Sequence, residues 1–244
     1  MNVQVAVFVW ILKGSCNFTV IMGPVIFYCY DAYCNWCYGF SPVMLQIAKD
    51  FGDKMPVEVL SGGMILSDTP KPISVLADYF LNNCKTVAEH TGVKFGEDFL
   101  WHIKNPDMSD WFPDSEKPAI ALCVFKEYYP DNQVAFAADL QYALQYEGRD
   151  LCDDEAYRHL LEKYSIPADA FYKLLKDPVY KEKAHHEFAV CKQLQVTGYP
   201  AVLLQVNESK FIMLASGYTT YDVLRQRIEN ALQDIRSDNQ KSGI

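Results

Sequence analysis

Basic side chains are scarce in this sequence. Its 244 residues carry 22 Lys and Arg against 31 Asp and Glu, a net charge of −9. A duplex nucleic-acid binder needs an excess of cations to displace counterions from phosphates, so that class is disfavoured. Docking on anionic membranes is disfavoured for the same reason. No low-complexity tract and no internal repeat is present. The longest apolar start, "VAVFVWIL" at residues 5–12, is too short to span a bilayer. "MNVQ" before it lacks the basic residues that open a secretory signal, and Lys13 replaces the leucine that a lipoprotein signal wants three residues before Cys16. The expected location is therefore the cytoplasm, with export as the alternative if this segment is a degenerate signal. Metal-ligand spacing is also missing. There is one Cys-x-x-Cys and no second, and no His-x₃₋₅-His; His185 and His186 are adjacent and point apart on a helix. No metal and no cofactor is expected.

Half of the residues are apolar and 14% are aromatic, enough for a sizeable core. Eight cysteines are too few for a disulfide scaffold. Six of them (Cys16, Cys29, Cys84, Cys123, Cys152 and Cys191) are scattered and read as small core hydrophobes. The remaining two, Cys34 and Cys37, lie in "FYCYDAYCNWCYGFSP", residues 27–42.

The pattern around that stretch is α/β. "PVIFYCYD", residues 24–31, is a short continuous apolar run and reads as a strand buried on both faces. "SPVMLQIAKDF", residues 41–51, has helical spacing and stops at Gly52. "MPVEVLSGG", residues 55–63, is the next strand, and a parallel pair joined by a helical crossover is the default geometry. From Thr69 to Gln195 the periodicity is helical. Ser115 is expected to cap one helix, Asp177–Pro178 to open another, and Gly92 and Gly148 to end two more. Strand signals return in "GYPAVLLQV" and "KFIMLAS", joined by the turn "NES", before a final amphipathic helix at 219–235. The expected organisation is an α/β domain made of residues 22–64 and 196–244, a helical insertion at 65–195, and an N-terminal extension at 1–21 that is either an upstream start or an added edge strand.

The thiolate, not the thiol, is the nucleophile of cysteine chemistry. Cys34 falls between a strand and a helix, where unpaired backbone N–H groups and the positive end of the macrodipole favour an anion. Cys37 lies one turn further on, on the same face. Such a pair closes a disulfide readily and opens again by exchange. The expected asymmetry is an exposed Cys34 that attacks and a more buried Cys37 that resolves. Pro200 opens the strand that would face the pair. A proline there lacks a donor and can adopt the cis form, which leaves the backbone of Tyr199 free to meet a substrate chain.

"DAYCNWCYGFSP", a strand ending in "SGGM", the long helical segment and "VTGYPAVLL" together resemble the DsbA-like branch of the thioredoxin superfamily. The similarity is closest to CxxC protein-disulfide isomerases of that branch and spans residues 24–235. It implies a thioredoxin-like fold interrupted by a large all-helical insertion. It implies Cys34 as nucleophile, Cys37 as resolving thiol and Pro200 as the cis-proline. Asn35 and Trp36 would tune the redox potential, and Gly62 and Gly63 would border the site. Trp36 and Tyr199 are expected to form a rim for substrate, while Tyr38 and Tyr218 pack. The implied activity is thiol–disulfide oxidoreduction or disulfide isomerisation on protein or low-molecular-weight thiols and disulfides. Alanine at position 32, where the family often has proline, is a departure that does not touch the dithiol. Related kappa-class glutathione transferases and 2-hydroxychromene-2-carboxylate isomerases use serine at the first position, and some DsbA-like proteins act as non-enzymatic adaptors; these are the alternative functions.

Overall fold

A computed structural model describes residues 2–4 and 23–241. Residues 5–22, which include Cys16 and most of the N-terminal extension, lie outside the described residues. Among the described residues, five strands form one sheet: β1 (Asn2–Gln4), β2 (Val25–Tyr30), β3 (Val57–Ser61), β4 (Ala201–Gln205) and β5 (Lys210–Ser216). Their order across the sheet is β1-β5-β4-β2-β3. β2 and β3 run parallel, and β4 runs antiparallel to β2 with Cys29 opposite Ala201. Helix α1 (Asn35–Phe51) connects β2 to β3. Seven helices follow: α2 (Ala77–Thr91), α3 (Glu97–Lys104), α4 (Glu116–Tyr128), α5 (Gln133–Gln145), α6 (Arg158–Lys163), α7 (Ala168–Leu175) and α8 (Pro178–Gln193). Helix α9 (Tyr221–Lys241) follows β5.

The period-2 alternation of a strand decides which side chains meet which layer. Along β2, Ile26, Tyr28 and Tyr30 point into the larger core, with Phe40, Met44 and Ile47 of α1 and Leu224 and Ile228 of α9. Val25, Phe27 and Cys29 point to the other face, against Val190, Cys191 and Leu194 at the end of α8. Both faces are covered, and for that reason β2 reads as an unbroken apolar run.

The insert helices also finish the sheet. β3 is an edge strand, and an open edge carries unpaired backbone groups. Here side chains supply the partners. The Val59 amide donates to Gln133 Oε1 of α5 at 3.0 Å, and the Ser61 amide to Glu187 Oε2 of α8 at 2.8 Å. Lys126 Nζ of α4 donates to the Val59 carbonyl at 2.6 Å and pairs with Glu187. Burial works to lower the Lys126 pKa, but Glu187, Cys123 and Glu58 together outweigh it, and the pKa is raised. Three helices thus fix the strand that leads into Gly62–Gly63.

Two local expectations need correction. α1 starts at Asn35, not near Ser41, and Pro42 lies inside it. A proline suits a first turn, but here the helix is begun about two turns earlier by a sulfur cap described below. Ser115 does not cap α4. Its backbone is already helical and its hydroxyl turns to a buried carboxylate; the Glu116 amide is taken instead by Asp114 Oδ1 at 2.7 Å. Asp177 and Gly92 do act at the helix ends where they were expected, Asp177 accepting from the Val179 amide and Gly92 taking φ +75° after α2.

Candidate active site

Cys34 is the N-cap of α1. Its φ of −77° and ψ of 111° are extended, and its sulfur accepts the Cys37 amide at 3.2 Å. A sulfur in the place of a capping oxygen thus receives one of the unpaired N–H groups of the first turn. On the other side Cys34 Sγ lies 3.4 Å from the Tyr199 carbonyl. The Tyr199–Pro200 peptide is cis, and Pro200 is buried at the start of β4. Cys34 and Cys37 are both free thiols.

Cys34 is not exposed. It is 2% accessible and Cys37 is fully buried. The Cys37 amide and the Tyr199 carbonyl both lie against its sulfur. The asymmetry between the two thiols is one of partners rather than depth. Cys34 Sγ receives a backbone N–H, whereas burial pushes the Cys37 thiol well above its ordinary value, with the Cys34 sulfur adding to the effect.

Asp31 ends β2, and its buried carboxylate is the hub of the surrounding loops. Oδ1 accepts the Tyr33 amide at 3.0 Å and the Ser115 hydroxyl at 2.9 Å. Oδ2 accepts the Met64 amide at 2.7 Å. Ser115 Oγ in turn accepts the Ile65 amide at 3.0 Å. Burial raises the Asp31 pKa, and these hydrogen bonds oppose the rise. One carboxylate therefore joins the dithiol loop, the segment after Gly63 and the start of α4.

Gly62 and Gly63 follow β3 and directly precede Met64, whose amide Asp31 holds. A Cβ on Gly62 would sit 2.1 Å from Cζ and 2.5 Å from Oη of Tyr199, whose hydroxyl donates to the Gly62 carbonyl at 2.8 Å. Gly63 has φ +67°, a left-handed conformation that favours glycine. Tyr199 is half-buried on Gly62. Trp36 is also half-buried; its Nε1 donates to Asn83 Oδ1 of α2 at 3.1 Å, and its ring lies near Tyr218 and His90. Tyr38 is buried against Phe95 and donates to the Lys94 carbonyl at 2.9 Å. Asn35 faces inward, not toward solvent, and its Nδ2 donates to Gln145 Oε1 of α5 at 2.9 Å.

The structure thus gathers Cys34, Cys37, Asn35, Tyr199, Pro200 and Gly62 at one junction. Sequence reasoning missed Asp31, Ser115, Gln141 and Gln145. Asp31 had one signal, a charge closing an apolar strand three residues before a cysteine. The glutamines had another, since they sit four residues apart in the mostly apolar "AADLQYALQ". The other described cysteines fall elsewhere. Cys29 and Cys191 share the second core, Cys123 lies by Glu187, Cys84 lies 3.7 Å from Asn35 Nδ2 and Cys152 is half-buried beside Tyr33. Burial pushes Cys84 up to about 12.

Residues 25–229 match the DSBA-like thioredoxin domain, and the chain belongs to that family. Members of the family are in general thiol–disulfide oxidoreductases. Solved structures share the fold. A candidate protein disulfide isomerase from Nitrosomonas europaea superposes with a TM-score of 0.74 at 22% identity, over 87% of this chain and 98% of that one. The cytosolic disulfide reductase DsbM from Pseudomonas aeruginosa gives 0.69 at 24% identity, over 86% and 98%. A 2-hydroxychromene-2-carboxylate isomerase gives 0.55 at 13% identity, over 90% and 98%. No curated protein matches the sequence. Among the described residues, no helix is long and apolar enough to cross a membrane.

Proposed function

We propose that this chain is a dithiol oxidoreductase in which Cys34 is the nucleophile and Cys37 the resolving thiol. The observation that carries the reading is the N-cap geometry: the Cys34 sulfur accepts the Cys37 amide at 3.2 Å and faces the Tyr199 carbonyl at 3.4 Å. In the reducing direction, the Cys34 thiolate attacks a substrate disulfide R–S–S–R′. A bond forms between Cys34 Sγ and one substrate sulfur, and R′–S⁻ leaves. Cys37, after losing its proton, attacks Cys34 Sγ and expels R–S⁻. The Cys34–Cys37 disulfide remains, and two electrons and two protons have passed to the substrate. Disulfide formation and isomerisation use the same mixed disulfide with the steps reversed or interrupted.

The buried Cys37 thiol is the group that must be deprotonated for release, and burial holds it back. Resolution therefore waits on that proton loss, while attack by Cys34 does not. Tyr199 and Gly62 form the wall along which a substrate chain reaches the sulfur, with Pro200 fixing the start of β4 below it. Substrates are protein or low-molecular-weight disulfides and thiols, and no cofactor is needed for the exchange. Glutathione fits the second group, and DsbM of Pseudomonas aeruginosa, which shares the fold, has been solved with GSH.

Limiting alkylation tests the role assignment. The reduced protein is treated with less than one equivalent of iodoacetamide near pH 7, and the label is mapped. Label on Cys34 supports the reading. Label mainly on Cys37, Cys84 or Cys152 overturns it.

A further inference from the structure

The dithiol loop is held by two glutamines of the insert that the exchange chemistry does not itself require. Gln141 and Gln145 lie one turn apart on α5, and both are fully buried. Gln141 Nε2 donates to the Asp31 carbonyl at 3.1 Å, and its Oε1 accepts the Ser41 hydroxyl of α1 at 2.6 Å. Gln145 Nε2 donates to the Ala32 carbonyl at 3.2 Å and the Cys34 carbonyl at 3.4 Å. Its Oε1 accepts Asn35 Nδ2 at 2.9 Å. The contacts run continuously from Asp31 to Asn35 and on to Ser41. That segment is the turn that places the Cys34 sulfur on the Cys37 amide.

The orientation of both amides is dictated by chemistry. A carbonyl oxygen can only accept, so Gln145 must present its NH₂ to Ala32 and Cys34. Its oxygen then faces Asn35, which must present its own NH₂. The consequence is visible: Asn35 Oδ1 is buried with no hydrogen-bond partner. Buried polar atoms are usually paired, and unpaired ones concentrate where the structure serves something other than stability. Here the amide donors are turned toward the loop at the expense of one acceptor.

We infer that Gln145, with Gln141, is a positioning residue for the thiol exchange, setting how well the Cys34 thiolate is held at the start of α1. The inference rests on the dithiol reading above. Two amide groups place donor hydrogens on the carbonyls flanking the thiolate, which otherwise present negative dipole ends to a buried anion. They also fix the turn against α5, so the sulfur-to-amide contact persists when Cys34 ionises. Without them the thiolate is less stable and the reduced form is disfavoured. The couple becomes less oxidising.

Gln133 provides the control. It is also buried on α5, and it satisfies the Val59 amide at the edge of β3 without touching the loop. Gln145→Met and Gln133→Met remove the same amide from the same helix and keep the volume. Both should lose stability. Only Gln145→Met should shift the equilibrium with glutathione, by about tenfold toward the Cys34–Cys37 disulfide, which is about 30 mV for two electrons. It should also raise the pH midpoint of Cys34 alkylation. If Gln145→Met does not fold, Gln145→Asn, which withdraws the amide by one methylene, is read in the same way. An equilibrium and a pH profile unchanged from wild type in the folded Gln145 variant overturn the inference, as does an equal shift in Gln133→Met. A wild-type protein that never equilibrates with glutathione is a distinct result, which overturns the dithiol reading and this inference with it.

Discussion

Gly62→Ala is a change of one methyl group whose effect is set by a single neighbour. The added carbon would lie 2.1 Å from Cζ, 2.3 Å from Cε1 and 2.5 Å from Oη of Tyr199. Carbon atoms rest at about 3.5–4.0 Å, so the ring must retreat by more than about 1 Å. The ring is half-buried, so an outward shift limits the cost to about the contacts it gives up. The hydrogen bond from Tyr199 Oη to the Gly62 carbonyl contributes about 1 kcal/mol. Displacing the ring by overpacking adds about 1 kcal/mol more. The expected loss is about 2 kcal/mol, a fall of roughly 4–8 °C in Tm for a chain of this length. A double-mutant cycle by urea unfolding isolates the contact. Tyr199→Ala removes the obstacle, so Gly62→Ala should cost little in that background, leaving a coupling of about 2 kcal/mol between the two sites. Additive costs would mean that the methyl group clashes with something other than Tyr199, and that Gly62 is not there to seat this ring.

Two further outcomes follow from the burial of charge and of the second thiol. Glu187→Ala strips the partner from Lys126 and from the Ser61 amide, and should cost about 3–5 kcal/mol, as expected for one partner of a buried pair; Glu187→Leu with Lys126→Met should recover most of it, and a loss under about 1 kcal/mol in the single variant would contradict the edge-capping role. Cys37 has a folded-state pKa raised above its ordinary 9.0, so the folded protein keeps a proton that the unfolded chain releases. Stability of the reduced protein should therefore fall as pH rises above about 9, by about 1.4 kcal/mol per pH unit from this group. Cys37→Ala should show a slope shallower by that amount in urea titrations with reductant, and an identical slope would contradict the burial argument.

The strands were legible because their burial is simple. β2 is covered on both faces and reads as an apolar run, and β5 spans Lys210–Ser216, the segment "KFIMLAS" marked by its turn and by Gly217. The cysteine spacing was legible because both thiols occupy one helix turn. Other features depend on partners that the local sequence does not reveal. Ser115 looks like a cap in sequence, and only the fold shows that Asp31 claims its hydroxyl. Pro42 suggests a helix start, yet α1 begins earlier because a cysteine sulfur takes the place of a capping oxygen. Cys34 meets the carbonyl of Tyr199, 165 residues on. The glutamines of α5 are invisible as site residues because polar residues at helical spacing usually mark a solvated face, and here that face meets the dithiol loop.

The central claim is that Cys34 attacks and Cys37 releases. Cys37→Ser leaves attack intact but removes the thiol that frees the partner, so the variant should hold substrates in mixed disulfides. Cys34→Ser replaces the nucleophile with a far weaker hydroxyl and should hold none. The measurement is non-reducing electrophoresis of both variants, and of the double variant, after incubation with a disulfide-bonded protein such as insulin and with glutathione disulfide. The account predicts dithiothreitol-sensitive adducts in Cys37→Ser alone. Partner binding that survives both substitutions and ignores reductant would identify an adaptor instead, and adducts on Cys34→Ser would reverse the roles of the two thiols.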